Sequence, residues 1–112
     1  MINIKYDMQE MIIFATGHAG FAEEGKDIVC AAVSTLIFTL INSVACVYDD
    51  DEDMYIRVLR KKDMPIFNTI LKGLSLLAVN YPENVSLCRV PYRKDSRVDI
   101  IKKQSHNRVQ KG

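Results

Sequence analysis

Two hydrophobic periods take turns along this chain. In residues 1–6 the apolar side chains of Ile2 and Ile4 fall on one side of an extended segment, the two-residue repeat of a half-buried strand. Met11–Thr16 (MIIFAT) is short, apolar and rich in β-branched residues, which predicts a second, buried strand. Residues 19–26 (AGFAEEGK) carry two glycines and no apolar period and read as a loop. A helix is expected to start near Asp27, a good N-cap or first-turn residue, and to run into the mid-forties, where the acidic run Asp49–Asp53 ends it. Residues 54–60 (MYIRVLR) alternate again as a strand. From Met64 to Tyr81 the period returns to that of a helix, with Ile66, Ile70, Leu74, Leu77, Ala78 and Tyr81 on one stripe. Pro65 sits in its first turn, where a missing N–H costs little, and Pro82 closes it. Val85–Val90 predicts a further strand, and Ser96–Ile101 an edge strand before a polar end.

The order β-β-α-β-α-β implies an α/β fold: a two-layer sandwich with two main helices on a mixed β-sheet. At 112 residues the chain is long enough for one core and too short for two. The expected organisation is a single domain over residues 1–95 and a basic C-terminal tail over 96–112, either an edge strand or disordered. Residues 28–48 are uncharged over more than a membrane's width of helix. They also contain Ser34, Thr35, Thr39, Asn42 and Ser43 and lack an aromatic belt, so a helix buried in the protein is expected rather than a membrane span. The opening MINIKYDMQE lacks a cleavable apolar run, so no leader is expected.

Charge adds an asymmetry that the total of +1 conceals. Residues 1–90 hold 8 Lys and Arg against 12 Asp and Glu, a net −4, whereas residues 91–112 hold 7 against 2, a net +5. A basic tail on an acidic body is either a solvated terminus or a contact for something anionic such as RNA. The three cysteines, Cys30, Cys46 and Cys88, form no CxxC pair and no even set, which points to a reduced, cytoplasmic setting. They and His18 lack the spacing of a zinc site, so no metal or cofactor is expected. Cys46, placed late in the long helix, and Cys88, placed in a strand, are expected to be buried structural residues, and His106 a solvated tail residue.

The candidate chemistry lies where the second strand gives way to the long helix. His18 falls just past the strand and Cys30 in the predicted first turn of the helix, so a short connection can bring them into one crevice. A thiol near a helix N-terminus is favoured as thiolate by the unpaired N–H groups and the positive dipole end. An imidazole beside it can take the thiol proton and return it to a leaving amine. The same N–H groups could stabilise an oxyanion. Asp27, Cys30 and Ser34, spaced i, i+3 and i+7, share a helical face, and Asp27 could cap the helix, orient His18 or do both. Against this, a single cysteine in an apolar helix is more often a small buried hydrophobe, and a histidine between glycines more often a turn residue.

The run GHAGFAEEGKDIVCAAVS, Gly17 to Ser34, resembles the signature of the ribosomal-processing cysteine protease family (Prp). The likeness extends more weakly over about residues 1–90, including Gly73-Leu74 and Tyr81-Pro82. The resemblance implies a cytoplasmic, homodimeric α/β cysteine endopeptidase that removes the N-terminal extension of large-subunit ribosomal protein number twenty-seven during ribosome assembly. It implies that His18 and Cys30 are the catalytic pair, that Asp27 and Ser34 support them, and that the loop holding Gly20 and Gly25 covers the site. Thr35 stands where an alanine is common and Phe21 where a tyrosine is, and the tail past Pro91 has no counterpart in the resemblance. Two other classes compete. One is a ribosome- or RNA-associated binding module in which Cys30 is inert. The other is a thiol redox sensor, which would need a resolving cysteine, and none is close to Cys30 in sequence.

Overall fold

The computed structural model describes residues 1–17, 26–50, 53–91 and 108–110. Six strands and two helices follow in the order β1 (Ile2–Asp7), β2 (Ile12–Thr16), α1 (Lys26–Ser43), β3 (Cys46–Asp49), β4 (Met54–Val58), α2 (Met64–Asn80), β5 (Val85–Arg89) and β6 (Arg108–Gln110). They form one mixed sheet in the order β5-β1-β2-β4-β3-β6. β1 pairs with β5 in parallel, and every other neighbouring pair is antiparallel. The expected α/β class, mixed sheet and two main helices are all present.

The alternation at the N-terminus does what a period of two requires. Ile2 and Ile4 are buried in the core, while Asn3 and Lys5 are exposed on the opposite side. Ile13 and Ala15 of β2 and Ile56 and Val58 of β4 join the same core, which Val29, Val33, Ile37, Leu40 and Ile41 of α1 close from above. α2 contributes Phe67, Ile70, Leu71 and Leu74. Both helices therefore bury their apolar sides on one face of the sheet. On the other face Phe14 and Tyr55, direct partners in the β2–β4 ladder, meet edge to face with ring centroids 6.4 Å apart.

Two expectations are corrected here. The long helix stops at Ser43, short of the acidic run expected to end it, and Cys46, expected late in the helix, opens β3 (Cys46–Asp49) instead. Local composition hides this break, because no glycine or proline interrupts residues 28–48. The break is made by the partner strand instead: Cys46, Val47, Tyr48 and Asp49 pair with Val58, Arg57, Ile56 and Tyr55 of β4. Cys46 is fully buried as expected, but in a strand, with its Sγ directed at the Ile41 carbonyl oxygen 3.8 Å away. The second correction concerns the α2 stripe. Its buried line runs Phe67, Ile70, Leu71, Leu74, while Ile66 and Tyr81 are exposed. Phe67 and Leu71 widen the buried line on one side and leave Ile66 at its other edge, while Tyr81 lies past the helix end at Asn80; α1 comes close at Gly73, where an added Cβ would lie 2.9 Å from Leu36 Cδ2.

Pro65 occupies the first turn of α2, and the helix ends at Asn80, with Tyr81 leaving helical geometry at φ −130° immediately before Pro82. The edge strand expected at 96–101 lies outside the described residues, as does His106; the strand described in this region is β6, beside β3. No helix among the described residues is long and apolar enough to cross a membrane.

Candidate active site

β2 ends at Thr16, which pairs with Asn3, and Gly17 then turns the chain away with φ +81°. Only glycine adopts this conformation readily. The space is equally restrictive, since a Cβ here would press into the Met1 carbonyl oxygen. Gly17 thus fixes where the chain leaves the sheet, and it does so at the mouth of a cleft of about 270 Å³. Ile2 and Ala15 form the sheet wall of this cleft. The α1 wall consists of Cys30, Val33, Ser34, Ile37 and Phe38. A third wall comes from the turn between β3 and β4, with Asp50, Asp53 and Met54.

Cys30 stands half-buried on α1, its neighbour Val29 packed into the core and Ile28 70% exposed. It is reachable from the cleft yet held on a rigid element, the placement a nucleophile needs. Ser34, one helical turn further along and half-buried, lines the same cleft, so the expected shared face of Cys30 and Ser34 is realised. One detail differs from expectation: α1 begins at Lys26, which makes Cys30 its fifth residue and places it just beyond the first turn. The four orphan N–H groups of a helix lie before that position. Asp27 lies in the first turn of α1. Its side chain, together with His18, Gly20, Gly25 and the rest of the segment from 18 to 25, lies outside the described residues.

Cys88 corrects a second expectation about the cysteines. It is exposed rather than buried, because β5 is the outermost strand beside β1 and residue 88 pairs with the exposed Lys5. Only Cys46 is shielded. Among the described residues no group of three His, Cys, Asp or Glu side chains is placed to hold a metal ion.

Beyond the cleft, the outer side of α1 carries a shallow groove of about 530 Å³ that shares Ser34 and Phe38 with it. The polar side chains there satisfy their own helix. The Thr35, Thr39 and Ser43 hydroxyls donate to the Ala31, Thr35 and Thr39 carbonyls at 2.7, 2.6 and 2.6 Å, and Asn42 Nδ2 donates to the Phe38 carbonyl at 2.7 Å. What the groove presents outward is therefore methyl groups and the Phe38 ring, without charge.

The cleft residues missing from the sequence reading include Ile2, Ala15, Ile37, Phe38, Asp50, Asp53 and Met54. The acidic run was visible, but only the β3–β4 pairing, which folds it back beside α1, makes it part of the site.

Comparison with known proteins gives this arrangement a context. The family model described as Cysteine protease Prp matches residues 1–86. The ribosomal processing cysteine protease Prp of Mycoplasma genitalium is 57% identical over 35 residues, 31% of this chain and 35% of that protein. The protein of the same name from Mycoplasma pneumoniae is 35% identical over 95 residues, 74% of this chain and 91% of that one. In three dimensions the chain is similar to the crystal structure of an essential ribosomal processing protease Prp from S. aureus in complex with a covalently linked product peptide. The TM-score is 0.67 and the identity 26%, over 80% of this chain and 100% of that one.

Proposed function

This chain belongs to the cysteine protease Prp family, and on that footing we propose that it is a site-specific endopeptidase with Cys30 as nucleophile and His18 as base. The observation that carries the reading is the position of Cys30: half-buried, on a helix, and open to a cleft whose other wall is the sheet. The S. aureus relative, with its covalently linked product peptide, gives independent support for a covalent route.

In this mechanism His18 takes the Cys30 thiol proton and Sγ attacks the scissile carbonyl carbon. The tetrahedral oxyanion collapses, the C–N bond breaks, and His18 returns the proton to the leaving amine. Water, deprotonated by His18, then hydrolyses the thioester. Asp27 orients His18 or caps α1, and Ser34 supports the Cys30 side of the cleft. The loop bounded by Gly20 and Gly25 closes over the peptide.

The substrate in this reading is the N-terminal extension of large-subunit ribosomal protein number twenty-seven, cut during ribosome assembly in the cytoplasm by a homodimer. The basic tail gives weak RNA or ribosome contact. The test is cleavage of a peptide spanning the extension and its junction. Cys30→Ala removes cleavage while the fold is kept, since alanine suits a helix and the volume change is small. His18→Ala lowers kcat/KM by orders of magnitude while peptide still binds. Cleavage by the Cys30→Ala protein overturns the assignment.

A further inference from the structure

Four side chains are shut off from solvent on the face of the sheet that carries no helix. Strand register places Asp7, Ile12, Tyr55 and Asp49 there, on the side opposite Ile4, Ile13 and Ile56. They are 5%, 1%, 2% and 1% exposed. Phe14 stands beside Tyr55 in the same layer, and a neighbour in the same layer does not take water off the outer end of a ring, yet the Tyr55 hydroxyl is buried too. Asn3, Lys5 and Cys88, on the same face toward β1 and β5, are exposed. The cover is therefore local, and register gives its course. Asp7 follows Tyr6, which pairs with Arg89 at the end of β5, and Ile12 pairs with Asp7. Tyr55 lies two residues before Arg57, the partner of Ile12, and Asp49 pairs with Tyr55. Tyr48, next to Asp49, pairs with Arg108 at the start of β6. The buried residues form a diagonal from the end of β5 to the start of β6, the points between which residues 92–107 must run.

Topology selects the same face. β4, β5 and β6 all point in one direction. The connection from β4 to β5 passes through α2, over the helix face, toward the β5 edge. The connection from β5 to β6 crosses the sheet the opposite way, so a crossover of the same hand passes over the opposite face. Crossovers between parallel strands are right-handed in about 98% of cases. Length is no obstacle, since residues 92–107 reach about 50 Å when extended and the six strands span roughly 24 Å.

We propose that the helix-free face is a docking surface for residues 92–107, which cross it as a strap, with Val98 and Ile100 toward Ile12 and Tyr55 and basic side chains toward Asp7 and Asp49. The segment holds 5 Lys and Arg against 2 Asp, set on a body of net −4. A buried carboxylate persists only with a partner, and Asp49 is not without one. The strap ends beside Asp49, directly before the cleft residue Asp50, so it braces the β3–β4 turn that forms the third wall of the Cys30 cleft. Basic side chains not engaged on the face stay available for the anionic contact described above. The inference goes beyond the protease reading and stands whether or not Cys30 is the nucleophile.

The experiment is limited tryptic digestion of the native full chain, with the cuts mapped by mass spectrometry. Arg93, Lys94, Arg97, Lys102 and Lys103 are trypsin sites inside the segment. A docked strap is cut there about tenfold or more slowly than a free peptide of the same sequence, because cleavage waits for a rarely populated open form. Val98→Asp with Ile100→Asp raises the rate toward that of the peptide. Point substitutions are used because truncation would also remove β6. Lys72 on α2 serves as the internal control: a site there that stays uncut in the double variant separates undocking from loss of the fold. The wild-type rate decides the matter even where the variant fails to fold. Cutting within 93–103 at the rate of the peptide, or a rate that the double substitution leaves unchanged in a folded protein, overturns the proposal. Protection that fades on dilution overturns it in favour of a second copy on this face. Protection that appears only when RNA is added overturns it in favour of an RNA ligand for the segment.

Discussion

Gly17→Ala should cost this fold far more than an exposed glycine-to-alanine change would. Residue 17 has φ +81°, and an L side chain in the left-handed region loses about 1–2 kcal/mol. A Cβ there presses into the Met1 carbonyl oxygen, which cannot rotate out of the way as a side-chain tip could. Relief requires the start of β1 to move, where the Ile2 N–H donates to the Asn84 carbonyl at 2.8 Å and Ile2 is buried. Overpacking of that kind costs about 1–3 kcal/mol. Alanine returns about 0.4–1 kcal/mol by restricting the unfolded chain. The net loss is roughly 1–5 kcal/mol, a fall of about 0.5–2.5 M in urea midpoint at a slope of about 2 kcal/mol/M. Urea unfolding followed by circular dichroism reads it directly, and because Gly17 lines the cleft, peptide cleavage falls too. Gly73→Ala is the control. That position is helical, and the nearest atoms are the tip of the Leu36 side chain, which can shift where a backbone carbonyl cannot, so the gain in helix propensity offsets the contact and stability stays within about 1 kcal/mol. A Gly17→Ala protein as stable as wild type would refute the view that this residue sets the exit of the chain from the sheet.

Phe67 is fully buried between α2 and the sheet, so Phe67→Ala should cost about 3–5 kcal/mol by the same unfolding assay, and a loss under about 1 kcal/mol would contradict the packing described. Mild alkylation of the native protein should label Cys30 and the exposed Cys88 and spare Cys46, with loss of activity tracking Cys30 in a Cys88→Ser background; labelling of Cys46 as fast as the others would place it outside the core. Deleting residues 96–112 should weaken binding to RNA in a salt-dependent way, since it removes 5 Lys and Arg against 1 Asp, and equal affinity at low salt would reduce the tail to a terminus without a ligand.

What the residues disclosed in advance was everything set by a local period. Ile2 and Ile4 announced β1, the proline pair at 65 and 82 bounded α2, and the glycine-rich interruption marked the end of β2. β3 stayed hidden because its first three residues, CVY, continue the uncharged run of the preceding helix, and a strand defined by its partner leaves no local mark when composition does not change. The α2 stripe shifted for a related reason, since the sheet and α1 that it packs against, and not the apolar positions alone, decide which of them are buried. For the site, helical spacing placed Cys30 and Ser34 together correctly. The acidic wall opposite them depends on β3 pairing with β4, so a reading that missed β3 could not find it. The exposure of Cys88 has the same origin, since strand order in the sheet, and not the residue's neighbours in sequence, decides which strand lies at the edge.

The central claim is that Cys30 forms a thioester with the substrate during cleavage. It is tested most directly by mixing protein with the extension peptide, quenching in acid within the first turnover, and mapping the adduct by mass spectrometry of proteolytic fragments. The account predicts an acyl group of the N-terminal product on the fragment containing Cys30. The adduct is absent from the Cys30→Ala protein and forms more slowly in the His18→Ala protein. Turnover of the peptide by a protein whose Cys30 fragment stays unmodified at every quench time, or an adduct found on Cys88 instead, would contradict it.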